Sequence, residues 1–212
     1  MSNWDQLNYN YFNHIEVVPY DVPEKEFKWL KKEIEKAKKE KIKANAGLVG
    51  HIKEEYNLKR VTSSFENFLI EKINHPAFDS WKKRMDILSE PRDLYLESMW
   101  VNYQKKHEFN PIHDHTGVFS FVIFVQIPYD LKKEDDYFKD VKGTGRHINH
   151  TSRLTFVNTK TDGDILSTVV NVDKSFEGKM FMFPARQKHL VYPFYTSNKH
   201  RITVSGNLKL KV

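Results

Sequence analysis

Two histidines stand one residue apart in FNPIHDHTGVFSF, residues 109–121, just before a run of β-formers. In an extended chain successive side chains alternate between faces, so His113 and His115 project together and Asp114 projects away from them. Two imidazoles on one face, with turns nearby, make a reasonable start to a metal site. The chain has ten histidines, so an H-x-H pair alone says little, and a third ring has to be found. His189 supplies it, just after a strand-like segment and a proline-containing turn in KMFMFPARQKHLVYPF.

A second feature follows in HRITVSGN. Arg201, Thr203 and Ser205 alternate with Ile202, Val204 and Gly206, so one face of this strand is polar and carries a single guanidinium. An arginine turned into a sheet's polar side is costly without an anion beside it. A dicarboxylate cosubstrate is one such anion, and an ion pair with a neighbouring Asp or Glu is the other. Spacing does not choose between them.

These residues need a scaffold. The 212 residues suffice for one substantial domain, and fifteen Phe with ten Tyr provide ample core material. The expected unit is a single domain over 1–212, with a helical buttress over about 1–92 and a β core over about 93–212. DVPEKEFKWLKKEIEKAKKE predicts a helix capped by Asp21, with Pro23 in its first turn and Phe27, Leu30, Ile34 and Ala37 on one face. KANAGLVGHIKEEYNLKR reads as a loop. TSSFENFLIEKI predicts a second helix, with Ser63 and Glu66 as a capping box. A third carries Phe78, Trp81, Met85 and Leu88. From Asp93 onward the pattern becomes strands rich in Val, Phe, Tyr, Ile and Thr, separated by turn formers. Helices followed by many short strands predict an α+β fold whose helices cover a sheet. The charged stretch between about 129 and 152 reads as one long loop, of a length that is functional or disordered in compact domains.

Taken in order, these motifs resemble the iron(II)- and 2-oxoglutarate-dependent oxygenases, and most closely a compact subfamily common in phages and bacteria. That pattern runs from a W-x-N strand through N-x-x-H-x-H and an apolar strand to "FP…H" and R-x-[ST]-x-x-x-N. Here it is met by Trp100, Asn102, Asn110, His113, His115, Phe183, Pro184, His189, Arg201, Thr203 and Asn207, over roughly residues 94–210. The resemblance implies a double-stranded β-helix, a cupin-like jelly roll with the N-terminal helices packed on one sheet. It implies Fe(II) held by His113, His115 and His189. Arg201 would pair with the remote carboxylate of 2-oxoglutarate, Thr203 would add a hydrogen bond, and Asn102 or Tyr103 would reach the cosubstrate. The implied reaction couples decarboxylation of 2-oxoglutarate by O₂ to oxidation of a substrate, a hydroxylation of a small molecule or of a peptidyl or prolyl-type group.

One departure matters. The commoner ligand set is H-x-D or H-x-E with a distal histidine, whereas this chain has H-D-H. A bulge could swing Asp114 inward as the third ligand in place of His115, which the strand period and the subfamily pattern favour. Two other readings keep the jelly roll. One is a three-histidine metal protein that does not use 2-oxoglutarate, and the other is a non-catalytic interaction module.

The remaining candidates are plainer. His147 and His150 read as parts of a polar loop that could act as a lid. His51 and His75 read as surface or capping residues, and His107 as a turn residue near the site entrance. The absence of cysteine excludes thiolate nucleophiles, disulfides and cysteine-based metal sites. The net charge of +6 is spread over lysine-rich helix faces interleaved with Glu, which argues against nucleic acid. No signal peptide or membrane span is seen, so the expected location is the cytoplasm, a host's if the chain is phage-encoded. Oligomeric state and substrate are left open.

Overall fold

Alternation with a period of two runs through the second half of the chain. In the computed structural model, which describes residues 2–7, 15–85, 94–140 and 149–211, each such stretch is a strand. The elements in chain order are β1 (Val18–Asp21), α1 (Glu24–Glu40), β2 (Glu55–Asn57), α2 (Ser63–Lys72), α3 (Asp79–Met85), β3 (Leu94–Gln104), β4 (Asn110–His113), β5 (Phe119–Gln126), α4 (Leu131–Tyr137), β6 (Leu154–Thr159), β7 (Ile165–Val170), β8 (Lys179–Pro184), β9 (Lys188–Val191) and β10 (Arg201–Leu210). They form a six-stranded sheet in the order β1-β8-β5-β10-β3-β2 and a four-stranded sheet in the order β4-β9-β6-β7. Neighbours in both sheets are antiparallel.

The side-chain alternation sorts two cores onto the two faces of the large sheet. Phe119, Phe121 and Ile123 of β5, with Met180 and Met182 of β8, face outward and join Leu30, Ile34, Phe65, Phe68, Leu69 and Phe78 of the helical layer. Phe124, Phe181 and Phe183 face inward and meet Leu154, Phe156 and Val170 of the small sheet. The result is a jelly roll buttressed by helices on one face. Burying about a dozen aromatic rings in this way provides the main stabilising term.

Local chemistry departs from the expected pattern at several helix starts. Asp21 does not cap α1: it ends β1 and pairs with Lys179, and Pro23 takes the cap position without any side-chain hydrogen bond. Asp21 thus belongs to the strand, and the helix starts at Glu24. At α2 the cap is Thr62, whose hydroxyl accepts from Phe65 N–H, not Ser63. Glu66 then does not close a capping box but accepts from Leu96 N–H at 2.8 Å, fastening α2 to β3. The third helix is described over Asp79–Met85 and is preceded by a 3₁₀ turn over Pro76–Phe78. Leu88 lies outside the described residues. His75 does cap that turn, its Nδ1 accepting from Ala77 N–H.

The stretches read as loops also carry structure. β2 lies in the 43–60 segment and forms one edge of the large sheet, so the first half is not purely helical. α4 occupies part of the expected 129–152 loop, capped by Asp130. Buried Glu134 on α4 accepts from the Tyr195 and Thr196 backbone N–H groups at 2.9 and 2.8 Å, which ties α4 to the turn before β10. His147 lies outside the described residues.

Candidate metal centre and its cleft

His113 ends β4 and His189 sits in β9, and the two are cross-strand partners in the small sheet. Their rings lie 4.3 Å apart between centroids. His115 follows β4 by two residues, held by a hydrogen bond from its backbone N–H to Ala185 O at 2.8 Å. The chain between His113 and His115 is therefore not regular strand, yet both rings turn the same way. Their centroids are 5.1 Å apart, and those of His115 and His189 are 5.0 Å apart. One ring nitrogen from each of the three lies within 4.8 Å of the others.

Hydrogen bonding fixes which nitrogens are free. A carbonyl can only accept, so His113 Nδ1 donates to Pro111 O at 2.7 Å and His189 Nδ1 donates to Gln187 O at 2.9 Å. In the neutral ring this leaves the Nε2 lone pair as a ligand, and a carbonyl behind a ligating histidine is the usual orienting partner. His115 Nε2 and His189 Nε2 are 3.2 Å apart, close enough to be adjacent ligands on one ion. All three rings favour the neutral form. Burial lowers His113, takes His115 down to about 3 with the His113 ring adding to the shift, and holds His189 well below its ordinary value with both other rings adding. Trp100, Phe156 and Phe183 supply the apolar walls that cause this. Three neutral nitrogen donors fit a divalent first-row cation such as Fe(II).

Asp114 does not join them. Its carboxylate bonds Lys188 Nζ at 2.7 Å with Arg186 at 3.8 Å, and that lysine bond holds its pKa below the ordinary value.

The large sheet forms the floor of the cleft as a grid of cross-strand neighbours. One row pairs Gln104 with Arg201, the next runs Glu55–Asn102–Thr203–Phe124, and the next pairs Trp100 with Ser205 and Val122. All of these residues line the cleft together with the three histidines. The alternation Arg201, Thr203, Ser205 therefore does point inward. Arg201 opens β10 rather than standing mid-strand, and it is 2% exposed. Among the described residues it has no carboxylate partner. Its Nη1 donates to Ser152 O at 3.2 Å, and its Nε has no partner. Tyr129 OH donates to the same carbonyl at 3.1 Å. Ser152 is placed there at φ +64°, the left-handed region that L-residues rarely occupy.

Asn102 and Tyr103 separate by the same alternation. Asn102 faces the cleft and donates Nδ2–H to Thr203 Oγ1 at 3.2 Å. Tyr103 faces the other way: it lies in the outer core and donates its hydroxyl to Ile34 O at 3.2 Å, so it cannot reach a ligand in the cleft. Asn207 is structural too, accepting from Ser120 Oγ at 2.8 Å within the sheet.

Glu55, Gln104 and Gly50 were not singled out from the sequence, yet they line the cleft. β2 is three residues long, too short for its period to be read, and Gly50 lies in a segment of loop-like composition.

Comparison with known proteins bears on the family and the fold. The family described as "Putative 2OG-Fe(II) oxygenase" matches residues 98–207. A prolyl-4-hydroxylase from Pseudomonas putida has a similar fold, with TM-score 0.52 and 12% identity over 96% of this chain and 97% of that one. An oxidoreductase of the 2OG-Fe(II) oxygenase family from Burkholderia pseudomallei is similar with TM-score 0.51 and 11% identity, over 94% of this chain and 88% of that one. No curated protein sequence matches the chain.

Proposed function

This chain belongs to the 2OG-Fe(II) oxygenase family, and from that premise we propose that His113, His115 and His189 hold Fe(II) through Nε2 while Arg201, Thr203 and Asn102 hold 2-oxoglutarate. The enzyme class is that of iron(II)- and 2-oxoglutarate-dependent oxygenases. One observation carries the residue assignment: three convergent neutral imidazoles share a cleft with a buried guanidinium that lacks a carboxylate partner among the described residues.

Bound together, iron and 2-oxoglutarate would supply the oxidising chemistry with O₂ as oxidant, one oxygen atom going into succinate as CO₂ leaves and the other to the oxidised substrate carbon. The protein's part is placement. Backbone carbonyls of Pro111 and Gln187 hold two imidazoles in the tautomer that presents Nε2. Arg201, already oriented by the Ser152 carbonyl, keeps its remaining donors for a bidentate carboxylate. Thr203 accepts from Asn102, which leaves its hydroxyl proton available to the same carboxylate. The aromatic walls exclude water, which strengthens every charge interaction inside. The proposed substrate is a small molecule or a peptidyl group, hydroxylated at carbon, as in the prolyl-4-hydroxylase of similar fold.

Anaerobic titration tests this reading. Fe(II) followed by 2-oxoglutarate should produce a visible charge-transfer band, and Arg201→Ala should bind the metal without the band. Metal uptake by the unaltered protein with no band on adding 2-oxoglutarate would remove the cosubstrate from the proposal and leave a three-histidine metal protein.

A further inference from the structure

At the β2 side of the cleft stands a carboxyl group that the proposed chemistry does not use. Glu55 is 1% exposed and shares a row of the floor with Asn102 and Thr203. Its Oε2 accepts from Asn45 Nδ2 at 2.9 Å. Its Oε1 accepts no hydrogen bond among the described residues and lies toward Gly50, 3.0 Å from where a Cβ on that glycine would stand. Asn110 Oδ1 comes to 2.3 Å of the same point. Next along the row, Asn102 is 5% exposed and its Oδ1 has no donor among the described residues. Among the described residues, Asn102 Oδ1 and Glu55 Oε1 thus stand without donors at one wall of the cleft, and Asn110 Oδ1 faces the same point as the carboxyl oxygen. A buried acceptor left in that state is costly, and buried polar groups of this kind are ordinarily paired.

The charges of the cleft are polarised as well. The three imidazoles favour the neutral form, and Asp114 is compensated by Lys188. That leaves Arg201 at one place and Glu55 at another. No ion pair joins them, since β3 lies between their strands and separates them by two strand spacings, about 10 Å. Burial, with Glu108 nearby, raises the Glu55 pKa to about 7, while Lys43 opposes the shift. The carboxyl group is thus only partly ionised near neutral pH, and a cation at its free oxygen would favour the ionised form.

We infer that Glu55, with Asn102 Oδ1 and Asn110 Oδ1, forms the subsite that recognises the substrate, and that the group it takes is a cationic N–H donor, an ammonium or a guanidinium. This rests on the oxygenase reading and adds its substrate class. The dicarboxylate is held on the Arg201 side, and the cation anchors the substrate on the other side of the metal ligands' cleft. Gly50 is the residue that leaves room for it, since any larger side chain would stand between the two acceptors.

The probes are blocked tripeptides with a central lysine or arginine, their neutral counterparts with norleucine or citrulline, and free L-lysine and L-arginine. The readout is succinate release by the Fe(II)-loaded enzyme above its probe-free rate, with the visible band as a check on folding and loading. Cationic probes should stimulate at least about tenfold more than their neutral counterparts, the scale of a hydrogen-bonded charge. The free amino acids show whether the cation is recognised as a small molecule or within a peptide. Glu55→Gln should keep the band and lose the preference. Gly50→Ala should keep the band and lose stimulation by all the cations. A wild type that responds equally to charged and neutral probes, or to neither, overturns the inference, and so does a preference that survives Glu55→Gln. A wild type without the band fails at the earlier step and takes the oxygenase reading with it.

Discussion

His113 and His189 are partners across the β4–β9 ladder, with ring centroids 4.3 Å apart, so a strand pairing sets the spacing of two proposed ligands. Each ring also has its own backbone acceptor, which leaves little orientational freedom to lose on binding a metal. His113→Ala or His189→Ala should therefore weaken Fe(II) binding by more than the 10–100-fold that changes to orienting partners cause. Anaerobic calorimetric titration measures it. Near-normal affinity in either variant would mean that the ion, if bound, sits elsewhere.

Arg201 is expected to act through its forked shape as well as its charge. Truncating one side of a buried, hydrogen-bonded charge pair costs about 2–5 kcal/mol, so Arg201→Ala should weaken 2-oxoglutarate binding by roughly 30-fold or more. Arg201→Lys keeps the charge but loses the planar fork and should recover only part of the loss. Titration of the visible band against 2-oxoglutarate gives both values. Full recovery by lysine would show that charge alone matters.

The metal-free protein should lose stability in mild acid. In the folded state the three histidines stay neutral below their ordinary pKa of 6.5, whereas in the unfolded chain they take up protons. The unfolded state then binds more protons, so stability falls as pH drops below 6.5, by up to about 1.4 kcal/mol per pH unit for each ring. Glu55 works in the opposite sense. Its pKa is raised from 4.5 to about 7, so the folded state binds the extra proton and gains stability as pH falls through that window. Three groups outweigh one, and thermal unfolding between pH 7 and 5 should show a net fall. The triple variant His113→Ala, His115→Ala, His189→Ala should show a much shallower slope, and an unchanged slope would contradict the assignment of cause.

Much of the site was legible because its residues carry distinctive types at strand spacing. The alternation Arg201, Thr203, Ser205 expresses a two-residue period that β10 keeps, and His113 and His115 turn their rings the same way although the strand ends at His113. The choice between Asn102 and Tyr103 was beyond spacing alone: adjacent residues must face opposite ways, and only the register of β3 against β10 decides which one faces the cleft. Asp114 illustrates the same limit, because the partner that holds it, Lys188, comes from another strand. The N-terminal errors have a local cause. Asp21 could serve either as a helix cap or as the end of a strand, and the pairing of β1 with β8 took it for the strand. Glu55 was hidden because a three-residue edge strand has no readable period.

Gly206 lies in the central part of β10, where the sheet leaves no room. A Cβ there would meet Ser98 O at 2.6 Å and the Phe121 ring at 2.7 Å. The carbonyl belongs to the β3 ladder and cannot swing away, so Gly206→Ala should destabilise by about 1–3 kcal/mol through overpacking. Chemical denaturation measures it, and an unaltered midpoint would show that the sheet opens more readily than its ladders imply.

Ser152 offers the reverse case, a substitution that should stabilise. Its φ of +64° puts an L-residue in the left-handed region, which costs roughly 1 kcal/mol, and its buried Oγ has no partner among the described residues. Ser152→Gly removes both penalties at the expense of added freedom in the unfolded chain, which is of similar size to one of them. The backbone carbonyl that orients Arg201 and Tyr129 is kept. The expected net gain is about 1 kcal/mol, read as a higher midpoint in thermal unfolding. The visible band should persist, because the contact to Arg201 is made by backbone. A lower midpoint would mean that the serine side chain contributes to the fold, and loss of the band with folding intact would mean that it helps hold the guanidinium.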